Sequence, residues 1–312
     1  MEMMEKKNSP LWVEAYRPDS LEDFIGNDEV KNKIQSYLVQ QDIPHLMFFG
    51  KAGVGKTSLA KLIVKRIDCD SLYINASDEN NVETVRTKIK SFASTISFSP
   101  HKFIILDEAD YLTVFGQAAL RAIMEEFHKN CRFIITCNYI ERVIEPIRSR
   151  VQDFHIFPPS KKDIAIHVAK ILTNENVKFV PQDVLHIINI HYPDIRKIIG
   201  TTQQMSINGK LNIQKQLLVE GDFHAKLIDI LKTQTDKRKM FGDIRQLVAN
   251  AQIRSFIDTY RLLFDTIDEY TKDVANAIII IAETQYQDAL VIDKEINFMA
   301  GIAKLIDTLK DA

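Results

Sequence analysis

The sequence predicts an α/β domain built on a parallel sheet, followed by regions made of helices alone. Three observations carry this prediction. Short apolar runs alternate with helical patterns from Ile43 to about Phe157. Pro158-Pro159 ends that alternation, and almost no strand signal follows it. From Asp222 onward apolar residues recur at three- and four-residue intervals, as in successive amphipathic helices.

Taken in order, residues 1–9 are charged and polar and read as a disordered lead-in. Trp12-Val13-Glu14-Ala15-Tyr16-Arg17-Pro18 follows; its lone tryptophan reads either as a structural plug or as part of a site. Asn27 to Gln40 has the spacing of an amphipathic helix. Strands are predicted at Leu46–Phe49, Leu72–Asn75, Phe103–Leu106, Phe133–Thr136 and Phe154–Phe157. Ser58 to Arg66 is helical, with Leu59, Leu62 and Ile63 on one face, and a basic helix is predicted from Val82 to Phe98.

Beyond the proline pair, Ser160 caps a helix through Thr173, Pro181 starts another through Ile190, and Pro193 begins a third. Asn208-Gly209 makes a turn. Four or five helices complete the chain, with Gly221 and Gly242 as punctuation. The predicted division is an α/β domain over 1–158, a small helical domain over 159–220 and a helical bundle over 221–312.

At 312 residues the chain exceeds a single ordinary core. Its 46% hydrophobic and 26% charged residues describe a soluble globular protein. A net charge of −2 supplies no global positive field, so contact with nucleic acid has to come from a local surface or from several copies together. Cys69, Cys131 and Cys137 are neither paired in spacing nor clustered with histidines, which points to a reducing compartment and no structural zinc. The polar start and the absence of a long apolar run point to the cytoplasm, with no membrane role.

The chemistry centres on Gly50-Lys51-Ala52-Gly53-Val54-Gly55-Lys56-Thr57, which fits the phosphate-binding P-loop. Glycines let the backbone turn tightly so that successive N–H groups point at an anion. Lys56 would reach the β- and γ-phosphates of ATP, Thr57 would hold Mg2+, and Ser58 opens the helix whose positive end faces the phosphates. The loop lies between an apolar strand and an amphipathic helix, the context this motif requires.

Phe103-Ile104-Ile105-Leu106-Asp107-Glu108-Ala109-Asp110 is an apolar strand ending in acids, the Walker B pattern. Asp107 would help hold Mg2+, largely through water, and Glu108 would polarise the attacking water. Asn138, in Thr136-Cys137-Asn138, reads alone as an ordinary strand-end residue and within this series as a partner of the γ-phosphate or lytic water. Arg148 and Arg150 read either as exposed solubilising charges or as arginine fingers inserted into a neighbouring subunit's site. Arg196, in Tyr192-Pro193-Asp194-Ile195-Arg196-Lys197, opens a helix from which a γ-phosphate is within reach.

The order of these motifs resembles the AAA+ clamp-loader ATPases, the replication factor C small-subunit group and its phage counterparts. The resemblance runs over residues 11–205. Besides the stretches above it includes Gln117-Ala118-Ala119-Leu120-Arg121, Met124-Glu125-Glu126, Asn130 to Tyr139 and Glu145 to Arg150. It implies an AAA+ P-loop sheet domain, a helical lid and an all-α collar through which subunits assemble. By position, Val13, Glu14, Ala15, Tyr16 and Ile25 would line the adenine pocket. Asn138 takes the sensor 1 role, Arg150 that of the trans arginine finger and Arg196 that of sensor 2, while Asn75 would restrain the catalytic glutamate.

The chain departs from the family pattern where Lys51-Ala52 replaces Pro-Pro in the loop and Val151 replaces the cysteine after Ser149-Arg150. Neither position supplies essential chemistry. The compact length and divergent C-terminal region look most like the phage large subunit.

The implied partners are a sliding clamp, primer-template DNA, and other loader subunits including a smaller one, in a hetero-pentamer with several copies of this chain. The Val82–Phe98 helix, with Arg86, Lys88 and Lys90, reads as a solvated basic face on an isolated chain and as a DNA-backbone tracker by resemblance. Arg86 is the leading phosphate contact, with Asn80, Asn81 and Arg121 behind it. Ile96 to Pro100 places apolar groups in a loop, which packing or docking to the clamp would explain. The alternatives are another AAA+ motor that remodels DNA, by branch migration or helicase loading, and a loader subunit that binds ATP without hydrolysing it. The location implied is host cytoplasm for a phage protein and nucleus for a eukaryotic one.

Overall fold

A computed structural model describes residues 9–78, 82–97, 99–212, 215–251, 253 and 255–309, with the backbone alone for 82–85 and 215–222. The chain divides into two compact units, one ending at Asn212 and the other beginning at Ile213.

The first unit opens with a single helical turn, α1 (Trp12–Ala15), and the helix α2 (Asp28–Gln40). Strands and helices then alternate: β1 (Leu46–Phe49), α3 (Lys56–Lys65), β2 (Cys69–Asn75), α4 (Val82–Ser94), β3 (His101–Asp107), α5 (Val114–Glu126), β4 (Arg132–Cys137), the short α6 (Glu145–Arg148) and β5 (Gln152–His155). The five strands form one parallel sheet in the order β2-β3-β4-β1-β5.

Alternating residues build a core on each face, because successive side chains of a strand point to opposite sides. Phe48, Phe103, Ile105 and Ile134 pack with Leu59 and Ile63 of α3. Met47, Ile104, Phe133 and Ile135 pack with Ile89 of α4 and Leu120 and Ile123 of α5. Burial on both faces explains why these strands read as nearly continuous apolar runs.

After β5 come α7 (Lys161–Asn174), α8 (Pro181–His191), α9 (Ile195–Met205) and a minimal antiparallel hairpin of β6 (Ser206–Ile207) and β7 (Lys210–Leu211). Ser160 caps α7 as its sequence predicts, its hydroxyl accepting from Asp163 N at 3.1 Å. The second unit holds α10 (Lys215–Thr233), α11 (Lys237–Ala251), α12 (Ile257–Asp265), α13 (Ile267–Tyr270), α14 (Val274–Asp288) and α15 (Lys294–Ile306) around its own apolar core.

Several sequence expectations need correction. β5 begins two residues earlier than predicted, because as an edge strand it starts with the exposed Gln152 and Asp153, which no apolar run announces. α4 stops at Ser94, short of Phe98, and Phe98 lies outside the described residues. Asp194, not Pro193, begins the third helix, its carboxylate accepting from Lys197 N at 3.0 Å. The Asn208-Gly209 turn carries two short strands where none were expected. Gly221 and Gly242 lie inside α10 and α11 and punctuate nothing, and the expected break at 220/221 falls within α10. Of the lead-in, residues 1–8 lie outside the described residues.

Candidate active site

The C-terminal ends of β1, β3 and β4 converge, the usual place for a ligand in an open parallel sheet. The P-loop leaves β1 and turns into α3. Gly53 and Gly55 sit at φ +76° and +99°, in the left-handed region that glycine enters without strain. Space is also closed there: a Cβ on Gly53 would stand 2.0 Å from Asp194 Oδ1, and one on Gly55 2.8 Å from Phe24 Cε2.

Lys56 opens α3 and is 8% exposed. Its ammonium donates to Gly50 O, Lys51 O and Asn138 Oδ1, each at 2.8 Å. Burial lowers its pKa, while nearby acids, Asp107 among them, oppose that shift. Thr57, the next residue, donates its hydroxyl to Asp107 Oδ1 and Oδ2 at 2.8 and 3.0 Å. The short hydrogen bond from Thr136 Oγ1 and a 2.7 Å bond from the Tyr73 hydroxyl complete the donors on this carboxylate.

Glu108 follows at φ 56°, an uncommon conformation for a residue with a side chain, and its N–H donates to Thr136 Oγ1 at 3.1 Å. The backbone at the end of β3 thereby holds Asp107 and Glu108 at fixed places on one pocket wall. Asp110 Oδ2 accepts from Asn138 N and Tyr139 N at 3.2 and 3.3 Å, tying the acid-tipped strand to the end of β4. Cys137, beside Asn138, is fully buried and its thiol is pushed up to about 12, mainly by burial, so it is an inert wall residue at neutral pH.

The pocket is lined by Gly53, Val54, Gly55, Lys56, Thr57 and Ser58 of the P-loop and α3 and by Asp107, Glu108 and Asn138 at the ends of β3 and β4. Apolar residues also line it, Val13, Tyr16, Ile25, Ile195 and Ile199, together with Arg196 of α9. The N-terminal segment is pinned there by hydrogen bonds: Trp12 N to Gln203 Oε1 at 2.9 Å, Gln203 Nε2 to Pro10 O at 2.7 Å, and Tyr16 OH to Glu175 Oε1 at 2.6 Å. Two members of the proposed adenine pocket stand apart from the wall. Ala15 is fully buried away from the lining, and Glu14 pairs with Arg17 at 2.7 Å.

Residues that sequence reasoning did not single out also line this pocket: Arg17, Asp23, Phe24, Thr136 and His167. His167 comes from α7, and burial lowers its pKa to about 4, so it is neutral at pH 7. Only the alternation of α7 offered a hint, since a lone histidine in an amphipathic helix reads as surface. Tyr73 left no signal either, because its hydroxyl reaches Asp107 across a strand register that spacing does not reveal.

The remaining predicted residues lie elsewhere. The amide of Asn75 donates to Asp78 Oδ2 at 3.0 Å, and its oxygen accepts from Ser77. Arg150 is partly exposed, pairs with Glu125 and donates to Pro146 O at 2.6 Å, while Arg121 reaches the same Glu125 oxygen at 3.5 Å. Arg150 is not part of the pocket wall of its own chain. Arg86 is exposed on α4 and forms no ion pair among the described residues, whereas Lys90 pairs with Glu126 at 3.2 Å. Ile96 is 90% exposed. Asn80 and Asn81 lie outside the described residues.

A P-loop, an acid-tipped strand two places away in the sheet and a polar residue just after the strand between them define an ATP hydrolase of the AAA class. Residues 46–159 match the model of the "ATPase family associated with various cellular activities (AAA)". The chain is 31% identical to the replication factor C small subunit of Saccharolobus solfataricus, over 97% of this chain and 96% of that one. It is 40% identical to that of Archaeoglobus fulgidus over 66% of each, and 35% identical to that of Sulfurisphaera tokodaii over 77% and 76%. The fold is shared with the Thermotoga maritima RuvB Holliday junction branch migration motor, with a TM-score of 0.55, 16% identity, and 81% and 88% of the two chains covered. The chain belongs to the replication factor C small-subunit family.

Proposed function

We propose that this chain is the ATPase subunit of a sliding-clamp loader, using ATP binding and hydrolysis to open a clamp and place it on primer-template DNA during replication. The observation that carries the reading is the pair of hydrogen-bonded sets flanking the P-loop at the strand ends, Lys56 with Asn138 and Asp110, and Thr57 with Asp107. In this reading residues 1–158 bind nucleotide, the helices α7 to α9 act as a lid, and the second unit, from Ile213, forms the collar. The loader is a hetero-pentamer of several copies of this chain with other subunits, one of them smaller, working in the cytoplasm.

Val13, Tyr16 and Ile25 take the adenine, with Glu14 and Ala15 shaping their segment. The P-loop N–H groups and Lys56 take the phosphates. Thr57 and Asp107 present hard oxygen donors 2.8 Å apart, a set that suits Mg2+. When bound, that ion neutralises charge on the phosphates. Glu108 accepts a proton from water as the water oxygen bonds to the γ-phosphorus and the bridging bond to ADP breaks. Asn138 orients that water, and Arg196 contacts the γ-phosphate from α9. Arg150 serves a neighbouring copy's pocket. Its hold on Glu125 is a surface pairing worth ~0–1 kcal/mol, so releasing it costs little.

Arg86, with Asn80, Asn81 and Arg121, contacts DNA phosphates, and binding there weakens with salt. The likeness to phage large subunits is read from the compact length and the divergent C-terminal region. The test is ATP turnover by the assembled loader with clamp and primer-template DNA supplied separately and together. Joint stimulation is expected; full stimulation by DNA with no clamp would identify a DNA-remodelling motor instead.

A further inference from the structure

Asp107 is held from a third side. Tyr73, on the edge strand β2, donates its hydroxyl to Asp107 Oδ2 at 2.7 Å. The β2–β3 register sets Asn75 opposite Asp107 and Tyr73 opposite Ile105. Tyr73 and Asn75 therefore share a sheet face, and the long phenol spans the one pleat that separates it from the carboxylate. Lys61, one turn beyond Thr57 on α3, places its ammonium 4.3 Å from the centre of the Tyr73 ring. The ring is thus fixed between the P-loop helix and the acid-tipped strand.

A carboxylate that serves a cation through water has to present its oxygens at a fixed angle. The Thr57 hydroxyl has one proton and two lone pairs, so it can donate to Asp107 while its oxygen faces a cation, and its single proton cannot by itself fix both carboxylate oxygens. Thr136 on Oδ1 and Tyr73 on Oδ2 are the further donors that orient the carboxylate. We propose that Tyr73 is a positioning residue for Asp107 and sets the Mg2+ affinity of the nucleotide site. This rests on the assignment of Asp107 to the cation.

The experiment measures binding of a fluorescent N-methylanthraniloyl ATP to the full chain, in EDTA and across a Mg2+ titration. For Tyr73→Phe the half-saturating Mg2+ concentration is expected to rise roughly tenfold, the scale of losing one partner of a cation ligand. Affinity in EDTA should stay at the wild-type value, which also certifies the fold. An unmoved Mg2+ midpoint, or an equal loss in EDTA, would overturn the proposal and leave the hydroxyl a purely structural group. Asp107→Asn separates the two layers: if it too leaves the midpoint unmoved, the assignment of Asp107 itself fails. Should Tyr73→Phe not fold, Lys61→Met decides, because it frees the ring but keeps the donor. A smaller upward shift supports the proposal, and no shift contradicts it.

Discussion

Lys56 Nζ and Asn138 Oδ1 lie 2.8 Å apart, so the residue that opens the P-loop helix is joined directly to the residue that ends β4. The contact spans the place where phosphates would sit. A neutral amide there satisfies the buried ammonium without adding a charge. Asn138→Asp keeps the size and adds an anion beside Lys56, which then competes with the phosphates for it. ATP affinity should fall by at least about tenfold, the scale of one strong ion pair in a shielded site. Asn138→Ala should bind ATP within a few-fold of wild type and lose roughly 10–100-fold in turnover. Equilibrium binding and single-turnover hydrolysis check both.

Glu108 offers a different separation of binding from chemistry. Its backbone is fixed by the bond to Thr136, so Glu108→Gln should leave the pocket intact. Removing the base should cost about 10²–10⁴ in hydrolysis with ATP affinity nearly unchanged. Retained turnover in this variant would remove Glu108 from its assigned role.

Gly53 lies where the P-loop meets the start of α9. Gly53→Ala would drive a methyl to within 2.0 Å of the Asp194 carboxylate that caps α9, at a backbone angle alanine resists. The variant should be destabilised by about 1–3 kcal/mol and bind ATP at least tenfold more weakly. Adding Asp194→Ala relieves the clash but not the backbone strain, so recovery should be partial. Thermal unfolding and nucleotide titration of the single and double variants measure this.

Acid sensitivity of the first unit should trace to the half-buried His45 and His167. His45 Nδ1 accepts from Phe133 N at 3.1 Å, and burial, with Arg132 and His128 adding, lowers its pKa to about 4 from 6.5. The unfolded chain therefore takes up a proton that the folded chain resists. This stability is complete above about pH 6.5 and is lost as the pH falls toward about 4. His167 acts in the same direction. Between about pH 7.5 and pH 5, the first unit should lose on the order of 1–3 kcal/mol, and His45→Gln should flatten that slope. Trp12, the only tryptophan, is buried in this unit, so its fluorescence in urea reports the transition.

Legibility followed burial. β1 read correctly to the residue because Leu46, Met47 and Phe48 are all buried, with one sheet face packed on α3 and the other on α5. β5 did not, because Gln152 and Asp153 are held by backbone pairing with β1 and not by an apolar face. The P-loop and acid-tipped strand were legible because their chemistry fixes residue types at fixed spacing. Gln117 shows the opposite case. Its amide bonds Leu112 O and Arg142 O and its oxygen takes Ile144 N at 2.8 Å, clamping α5 to the segment that carries Arg148 and Arg150. Nothing about a lone glutamine on a helix announces such a long-range contact. Tyr73 and His167 were missed for the same reason, since register and helix packing placed them.

The central claim is that each catalytic pocket is shared between two protomers, one supplying the phosphate cradle and the next supplying Arg150. The most direct measurement mixes two inactive variants. Arg150→Ala keeps its own pocket intact and Glu108→Gln keeps its finger, so each alone should lose turnover in the assembled loader, by on the order of a thousandfold for the finger. In mixed assemblies, an Arg150→Ala pocket beside a Glu108→Gln neighbour is whole. The account predicts that ATP turnover returns on mixing; an Arg150→Ala assembly at full activity, or mixtures that stay silent, would contradict it.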